Sequence, residues 1–506
     1  MRVKPFSRWV LAVVFILPLL ISLGPGSLKV CAAQRDTLVI GQSADITSFD
    51  PTELRMGTFV LNRLLYNTLI ALDADGKPHA ELAQSWTRSD DGKTMTFTLR
   101  KGVTFHNGKP LTAQDVAFSL NYAKDPANGA NILPLAKMIK SIDTPAEDTV
   151  ILHFDGASDA VFDLLDLAFI IDGSQPKKVK TGGNGTGPFK LAGYEPGQDA
   201  VFVRNDGYWG GKPALKKVII KIIPDQQSGV MQMSAGAVDF LPSIDREAAG
   251  QLAGAGFATG AATAEGRVLD LTFNTKVPPL DKPDVRQAIG LALDRVRIAH
   301  DIAGPSSLVK CLPWPRYSQR EAAGHEKDCA YDPARAKALI ARAGAAGAEI
   351  TIMSRSQSEP QIGAMAQVVQ GALQDIGLKA TIVEMSEAAY ISRFRKGDFQ
   401  LAAHVYGRAG RGPSTILLSA VIFRTSDNPA QISSQQYSDD IALVTSRPSG
   451  PDTDQAWQRI DSFMLKENWV LPVATLPVLW ASAKGLAGLR FNLDGMPILT
   501  EAKLDK

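Results

Sequence analysis

The six histidines of the chain are candidates for metal binding and proton transfer, because imidazole does both near neutral pH. They are His79, His106, His153, His300, His325 and His404. No two of them have the His-x-x-x-His spacing that brings two ligands onto one face of a helix. The spacing therefore predicts no metal site.

Two glycine-rich stretches approach the patterns of nucleotide-binding loops. Residues 102–110 mimic a phosphate loop, but the spacing is one residue too long and Pro110 stands where a hydroxyl would bind magnesium. Gly183, Gly185 and Gly187 do not have the spacing of a dinucleotide-binding loop. These glycines are expected in turns, and no cofactor is predicted.

Three short strings carry the residue types of penicillin-recognising serine enzymes. They are Ser-x-x-Lys at 307–310, Ser-Asp-Asn at 426–428 and Lys-Thr-Gly at 180–182. The topology of those enzymes puts Lys-Thr-Gly last along the chain, whereas here it comes first. The sequence favours a protein that is not an enzyme, with a serine hydrolase as a distant alternative.

The amino-terminal residues have the pattern of an export signal. A basic start is followed by an apolar run of about 15 residues, which is shorter than the roughly 20 that span a membrane. We expect a signal peptide at 1–33, cleaved after Ala32 or Ala33, and a periplasmic mature protein. Lipid attachment at Cys31 is the alternative, although Lys29 near it does not fit such a site.

The charge balance argues against a nucleic-acid partner. Loss of residues 1–33 removes four basic residues and no acid, so the formal net charge falls from +2 to −2. Nucleic-acid binding calls for a basic face. The mature chain of about 470 residues exceeds a single hydrophobic core, so two or three domains are expected.

Strand and helix patterns alternate along the mature chain. Strands are predicted at 37–41, 149–154, 200–204, 216–223 and 267–275, and a helix at 284–300. Strands at 350–353, 381–384 and 401–406 alternate with helices at 360–376 and 387–396. This βαβαβ run predicts a separate α/β lobe.

The segment 94–99 has the period-two pattern of a half-buried strand, since threonines alternate with Met95, Phe97 and Leu99. Turn dipeptides flank this strand, and Thr112 is suited to cap a following helix. The sequence continues as Leu-Arg-Lys-Gly-Val-Thr-Phe-His-Asn-Gly at 99–108 and Leu-Thr-Ala-Gln-Asp-Val at 111–116.

This sequence closely resembles the segment shared by extracellular solute-binding proteins of family 5, the dipeptide-, oligopeptide- and nickel-type receptors of ABC importers. Similar phrases stand at 185–191, 204–225, 271–295 and 331–344, so that the resemblance covers nearly the whole mature chain. It implies an α/β fold of the two-lobe, class II periplasmic-binding-protein type, with the ligand enclosed between the lobes.

The resemblance also implies how the chain is divided. We place the first lobe at 34–275 plus 477–506, with an inserted subdomain at about 78–178, and the second lobe at 276–476. The two crossings would then lie at 274–275 and 476–477. Two crossings without a long linker allow hinge closure around a ligand.

The loop at 405–413 differs from that of peptide-binding relatives, which carry an acid for the peptide ammonium in a Trp-x-x-Asp-x-x-x-Pro phrase. Alignment of Tyr406 with the aromatic residue and Pro413 with the proline places Ala409 at or beside the acidic position. Arg408 and Arg411 stand beside it. The resemblance therefore implies a site that has lost its ammonium partner and gained positive charge.

Arg355 lies within about one residue of the place where dipeptide-type relatives carry an arginine for the ligand carboxylate. A guanidinium holds a carboxylate or phosphate through two parallel hydrogen bonds. We expect Arg355, Arg408 and Arg411 to border the cleft and to favour a net-negative ligand. Solvated loop charges are the alternative for each of them.

Further contacts are expected from the loop that lines the cleft floor in relatives, which here contains Ser43, Arg55 and Met56. His404 and Tyr406 flank the loop of the second lobe. An aromatic side chain there could stack on a sugar, a ring or a peptide plane. A packing role is the alternative for these residues.

Two cysteines, Cys311 and Cys329, remain if Cys31 leaves with the signal. An even pair in an oxidising compartment predicts a disulfide, worth about 3 kcal/mol in the chain-entropy model. Two unpaired thiols are the alternative.

We therefore expect the solute-binding component of an ABC importer. It would capture a small polar, anionic ligand, either peptide-like or an amino-acid or sugar conjugate, and deliver it as a monomer to an inner-membrane permease and its ATPase. A nickel-chelate receptor is the alternative within the class. A periplasmic chaperone or chemoreceptor partner is the alternative outside it.

Overall fold

The computed structural model describes residues 35–505 except 55, 264, 319, 321–328 and 448. The predicted signal peptide, Cys31, Arg55 and His325 lie outside the described residues. Among the helices of the described part, none is both long and apolar enough to cross a membrane.

The strands of the first half are β1 (Thr37–Gln42), β2 (Ile70–Leu72), β3 (Pro78–Ala80), β4 (Ala83–Arg88), β5 (Thr94–Leu99), β6 (Ile139–Ala146), β7 (Thr149–Phe154), β8 (Phe189–Gly193), β9 (Ala200–Arg204), β10 (Lys217–Ile222), β11 (Phe240–Ile244) and β12 (Ala258–Thr263). They continue with β13 (Arg267–Phe273), β14 (Glu349–Ser354), β15 (Lys379–Glu384), β16 (Leu401–Gly407), β17 (Val470–Thr475), β18 (Val478–Ser482), β19 (Leu486–Ala487), β20 (Arg490–Phe491), β21 (Pro497–Ile498) and β22 (Lys503–Leu504).

The α-helices are α1 (Phe59–Leu65), α2 (Ala113–Lys124), α3 (Leu133–Ala136), α4 (Ala160–Leu167), α5 (Val179–Gly182), α6 (Gln226–Ser234), α7 (Arg246–Gly254), α8 (Pro283–Leu291), α9 (Arg295–Ile298), α10 (Pro333–Arg342), α11 (Pro360–Asp375), α12 (Glu387–Lys396), α13 (Pro413–Ser419), α14 (Gln435–Ser446) and α15 (Pro451–Glu467).

A seven-stranded sheet, in the order β12-β18-β11-β1-β10-β9-β8, forms the first lobe. β1 pairs in parallel with β10, and its Leu38 and Ile40 are fully buried in the core of this lobe. β18 enters the sheet between β12 and β11. The carboxyl-terminal segment therefore returns to the lobe in which the described chain begins.

A separate four-stranded sheet, β4-β5-β7-β6, lies within the stretch predicted as the inserted subdomain and has its own hydrophobic core. Met95, Phe97 and Leu99 are buried in this core, while the threonines between them are partly exposed. α2 begins directly after Thr112, whose backbone N–H and Oγ1 both donate to the Asp115 carboxylate at 3.0 Å. The predicted strand and helix start are confirmed.

A five-stranded sheet, in the order β15-β14-β16-β13-β17, forms the second lobe. The predicted strand at 267–275 exists as β13, but its placement in the first lobe is wrong. β13 pairs along its whole length with β16 and also with β17, and its side chains from Val268 to Phe273 are buried in the second lobe. The first crossing between the sheets therefore lies between Thr263 and Arg267.

The single helix predicted at 284–300 is also wrong. α8 ends at Leu291, α9 follows after a break, and a π-helix occupies Ala299–Ala303. The carboxylate of Asp294 accepts the Arg297 backbone N–H at 3.0 Å and caps α9 as a new start. The apolar period continues through the break, which is why it suggested one helix.

Cys311 and Cys329 form the predicted disulfide, with their Cα atoms 5.7 Å apart. The segment just before it pairs with β17, since the Lys310 backbone N–H donates to the Val473 carbonyl at 3.0 Å. Cys311 therefore directly follows a segment that pairs with β17, the edge strand of the second-lobe sheet.

Candidate functional site

A cavity of about 1440 Å³ is lined by both lobes. The first lobe contributes residues 41–44 at the end of β1 and 242–246 at the end of β11. The second lobe contributes residues 404–408 at the end of β16 and 358–361 after β14, and the subdomain adds residues from 129–137. Ligands of α/β folds bind beyond the carboxyl ends of strands, so this cavity is the candidate binding site.

The charged side chains that line the cavity are mostly basic. Among the described residues of the wall, six are basic and three are acidic: Lys137, Arg246, Arg267, Arg395, Arg408 and Arg424 against Asp245, Glu359 and Asp494. All three acids already have partners. Glu359 pairs with Arg267, Asp494 accepts a hydrogen bond from Arg411 Nε at 3.3 Å, and Asp245 caps α7 through the Ala248 N–H at 2.8 Å.

The other five basic side chains form no ion pair with a carboxylate of the described residues. Two of them instead reach across the cavity to backbone carbonyls. Arg246 Nη1 donates to the carbonyls of His300 and Asp301, each at 3.0 Å, and Arg408 Nη1 donates to that of Asn131 at 3.2 Å. Their positive charge is therefore available to a bound anion.

Arg408 lines the cavity one residue after the end of β16. Its φ of 60° is in the left-handed region, which costs a residue other than glycine about 1 kcal/mol or more. Burial lowers the pKa of its guanidinium, and nearby Asp494 opposes this effect. A half-buried cation without its own carboxylate gains when an anion binds beside it.

His404 and Tyr406 line the cavity but make most of their contacts within the second lobe. His404 Nδ1 lies 2.9 Å from Asp270 Oδ2, and its ring stacks on Phe394 with the centroids 4.2 Å apart. Tyr406 packs edge-on against Phe423 at 5.5 Å. At 9% and 5% exposed, both offer only part of a ring to a ligand.

Arg411 and Arg355 are not at the cavity wall, which corrects the prediction that they border it. Arg411 is completely buried, because its guanidinium is enclosed by Asp163, Asp166 and Asp494. Arg355 pairs with Glu387 at 2.5 Å, and its guanidinium lies over the Tyr390 ring at 5.4 Å. Both charges are already engaged within the protein.

Of the residues predicted for the cleft floor, Ser43 lines the cavity. Arg55 and the side chain of Met56 lie outside the described part of the chain. Met56 itself opens a short 3-10 helix, Met56–Thr58.

Five basic residues of the described wall were missed in the sequence: Lys137, Arg246, Arg267, Arg395 and Arg424. Arg246 stands two residues after the end of β11, a position that could have indicated a ligand contact. Arg395 stands in the last turn of α12 among other cations, where basic residues usually complement the helix dipole. Nothing in its local pattern distinguishes it from a solvated charge.

The serine-enzyme strings do not form a catalytic group. Ser307 Oγ donates to the carbonyls of Ala299 at 2.7 Å and Gly304 at 2.6 Å. Lys310 Nζ, in contrast, donates to the Trp314 carbonyl at 2.6 Å and pairs with Glu265 at 2.9 Å. The would-be nucleophile and base thus serve separate structural roles.

Among the described residues, no group of three or more His, Cys, Asp or Glu could hold a metal ion.

Two lobes with separate sheets and a shared cavity define a fold of the periplasmic-binding-protein type. The chain belongs to the bacterial extracellular solute-binding proteins, family 5, whose model of the middle region matches residues 77–422. This is a family of binding proteins that serve transport.

Individual relatives agree with this assignment. The nickel-binding periplasmic protein of Escherichia coli (strain K12) is 28% identical over 436 residues, which are 80% of this chain and 82% of that protein. NikA from Brucella suis in complex with Fe(III)-EDTA has a TM-score of 0.83 at 22% identity, over 93% of this chain and 100% of that chain. The PBP AgaA from A. tumefacien R10, in complex with agropinic acid, has a TM-score of 0.76 at 25% identity, over 93% and 99%.

Proposed function

We propose that the cavity captures a small solute of net negative charge and that the protein delivers it to the permease of an ABC importer. Carboxylate-bearing peptide-like compounds and amino-acid or sugar conjugates are the chemical class that fits. The observation that carries the proposal is the set of five basic side chains in the wall that form no ion pair with a carboxylate in the described part of the chain. A guanidinium binds a carboxylate through two parallel hydrogen bonds, which gives both affinity and orientation.

The same wall is poorly suited to a free ammonium group. Ala409, at or beside the position where peptide-binding relatives carry an acid, is buried and does not line the cavity. Arginines neutralise Asp494 and Glu359. Of the three acids in the described wall, Asp245 is then the one best able to pair with an ammonium group. An ammonium would lose its hydration without gaining an unshared carboxylate.

Family membership and the relatives that are periplasmic proteins support a periplasmic location. The partners that follow are an inner-membrane permease and its ATPase, and the receptor works as a monomer. Closure of the lobes would present the loaded form to the permease.

Calorimetry with two matched probes tests the charge preference. N-acetyl-L-glutamate carries two carboxylates and no ammonium, whereas its diamide has a similar shape without charge. We expect the wild type to bind the diacid, and Arg408→Met to weaken that binding more than tenfold, because loss of a buried charge pair typically costs about 2–5 kcal/mol. Arg335→Met, which changes an exposed arginine of α10, is the control. Equal binding of both probes, unaffected by Arg408→Met, would contradict the proposal.

A metal chelate is the second candidate solute, because a relative at 28% identity binds nickel. The described residues offer no cluster of metal ligands, so the metal would have to arrive inside a chelator whose own carboxylates meet the arginines. Equilibrium dialysis with Ni(II) alone and with Ni(II)-EDTA distinguishes the cases. Retention of the chelate, but not of the free ion, would favour this solute.

A further inference from the structure

Arg411 is fully buried, and its partners come from distant parts of the chain. Its Nη1 lies 2.7 Å from Asp166 Oδ2 and 3.3 Å from Asp163 Oδ1, both on α4 of the subdomain. Its Nε and Nη2 both donate to the Asp494 carboxylate of the carboxyl-terminal segment. One guanidinium of the second lobe thus joins the subdomain and the first lobe.

The turn that carries Arg411 also carries Arg408. The Arg411 N–H donates to the Arg408 carbonyl at 3.1 Å and closes this turn. Asp163 Oδ2 accepts the Gly412 N–H at 3.0 Å and the Thr415 hydroxyl at 2.5 Å. The start of α13 is therefore held by the carboxylate that Arg411 contacts, and the position of Arg408 depends on these bonds.

Asp494 connects this buried network to the cavity, since it lines the wall together with Arg408. Burial alone would raise the pKa of the Asp494 carboxyl, but the guanidinium groups of Arg411 first, and then of Arg408 and Arg63, together lower it. Asp494 therefore stays ionised. With Arg411 present, the negative charge of Asp494 is compensated on the side away from the cavity. Without Arg411, this charge would face the cavity and compete with a bound anion for Arg408.

We propose that Arg411 is a positioning residue that sets the anion preference of the cavity without touching the solute. It cancels the charge of Asp494 and anchors the turn that presents Arg408. This inference rests on the proposed function and explains why a fully buried arginine lies three residues from a cavity arginine.

The test compares N-acetyl-L-glutamate with its diamide in three variants of the full chain. In Arg411→Met the diacid should bind more than tenfold more weakly, while binding of the diamide changes less than twofold. Asp494→Asn in the same background should recover most of the loss, because the uncompensated charge is gone. Arg286→Met is the matched control, since Arg286 is a buried arginine that pairs with Glu467 inside the second lobe.

A purely structural role gives a different result. Equal weakening of both probes in Arg411→Met, or no recovery in the double variant, would overturn the inference. If Arg411→Met does not fold, Asp494→Asn alone decides, since it should tighten binding of the diacid severalfold and leave the diamide unchanged. Unchanged or weaker binding of the diacid by Asp494→Asn would overturn the inference.

The proposed function and this inference fail in distinguishable ways. A wild type that binds both probes equally, or neither, overturns the two together. A wild type that prefers the diacid, loses this preference in Arg408→Met and keeps it in Arg411→Met overturns the role of Arg411 alone.

Discussion

The side chain of His106 is packed between the subdomain and the first lobe. Its Nε2 lies 3.1 Å from the Gly187 carbonyl oxygen, and its own backbone N–H donates to the Gly185 carbonyl at 2.9 Å. Burial lowers the pKa of the imidazole from 6.5 to about 4, because the charged form would lose its hydration. The folded protein therefore holds His106 neutral over the range in which an unfolded chain would protonate it.

This difference predicts a loss of stability in mild acid. Between pH 6.5 and about 4 the unfolded state binds more protons than the folded state, so the free energy of unfolding falls as the pH falls. Urea unfolding at pH 7 and pH 4.5 should show a smaller difference between the two pH values in His106→Gln than in the wild type. His300→Gln, at a histidine 68% exposed, is the control. The same pH difference in His106→Gln and the wild type would contradict this assignment.

Three arginines look alike in the sequence but have different roles in the structure. Arg408 lines the cavity, Arg411 is fully buried, and Arg355 is engaged by Glu387. Local pattern cannot separate them, because the partners of Arg411 lie 83 to 248 residues away along the chain. The positive charge of the loop at 405–413 could be predicted from its composition, but the roles of the individual arginines depend on tertiary contacts.

Elements with a clear period were predictable as elements. The strand at β5 and the helix start at α2 follow from alternation and from a capping residue. β13 was equally predictable as a strand, but the sheet to which it belongs was not. The sequence of a strand that is buried on both faces does not indicate which strands it pairs with. The break between α8 and α9 was hidden because Leu293 and Ile298 are both buried and continue the apolar period.

The disulfide gives a prediction at this scale. The bond joins residues 18 apart, and the chain-entropy model assigns such a loop about 3 kcal/mol of stability. Guanidinium unfolding with and without reductant should differ by about this amount in the wild type. The Cys311→Ser, Cys329→Ser double variant should not respond to reductant.

Intact mass provides the independent check of the disulfide. Protein isolated from its native compartment should take up no alkylating reagent at Cys311 and Cys329 until it is reduced. Two alkylated cysteines without reduction would show that the pair is not bridged in the cell envelope.

The lobes touch at places outside the cavity as well as across it. The Ala157 N–H of the subdomain donates to the Ser446 carbonyl of α14 at 2.8 Å. This close approach depends on the neighbouring Gly156, because a Cβ there would lie 2.5 Å from both the Cα and the carbonyl oxygen of Ser446. A side chain at this position would therefore keep the subdomain and the second lobe apart without altering any residue of the cavity.

This contact gives a test of hinge capture in the whole molecule. The solute should shift an open population to a closed one, so the radius of gyration from small-angle scattering should fall when the wild type is saturated with the solute that co-purifies with it. Gly156→Val should reduce this compaction and weaken binding at least fivefold, because part of the binding free energy must then overcome the clash at Ser446. Gly193→Val is the matched control, since a Cβ at Gly193 would meet nothing within 4 Å.

An unchanged radius of gyration in the saturated wild type would contradict hinge capture. Full compaction and unaltered affinity in Gly156→Val would show that the solute binds without bringing the subdomain and α14 together.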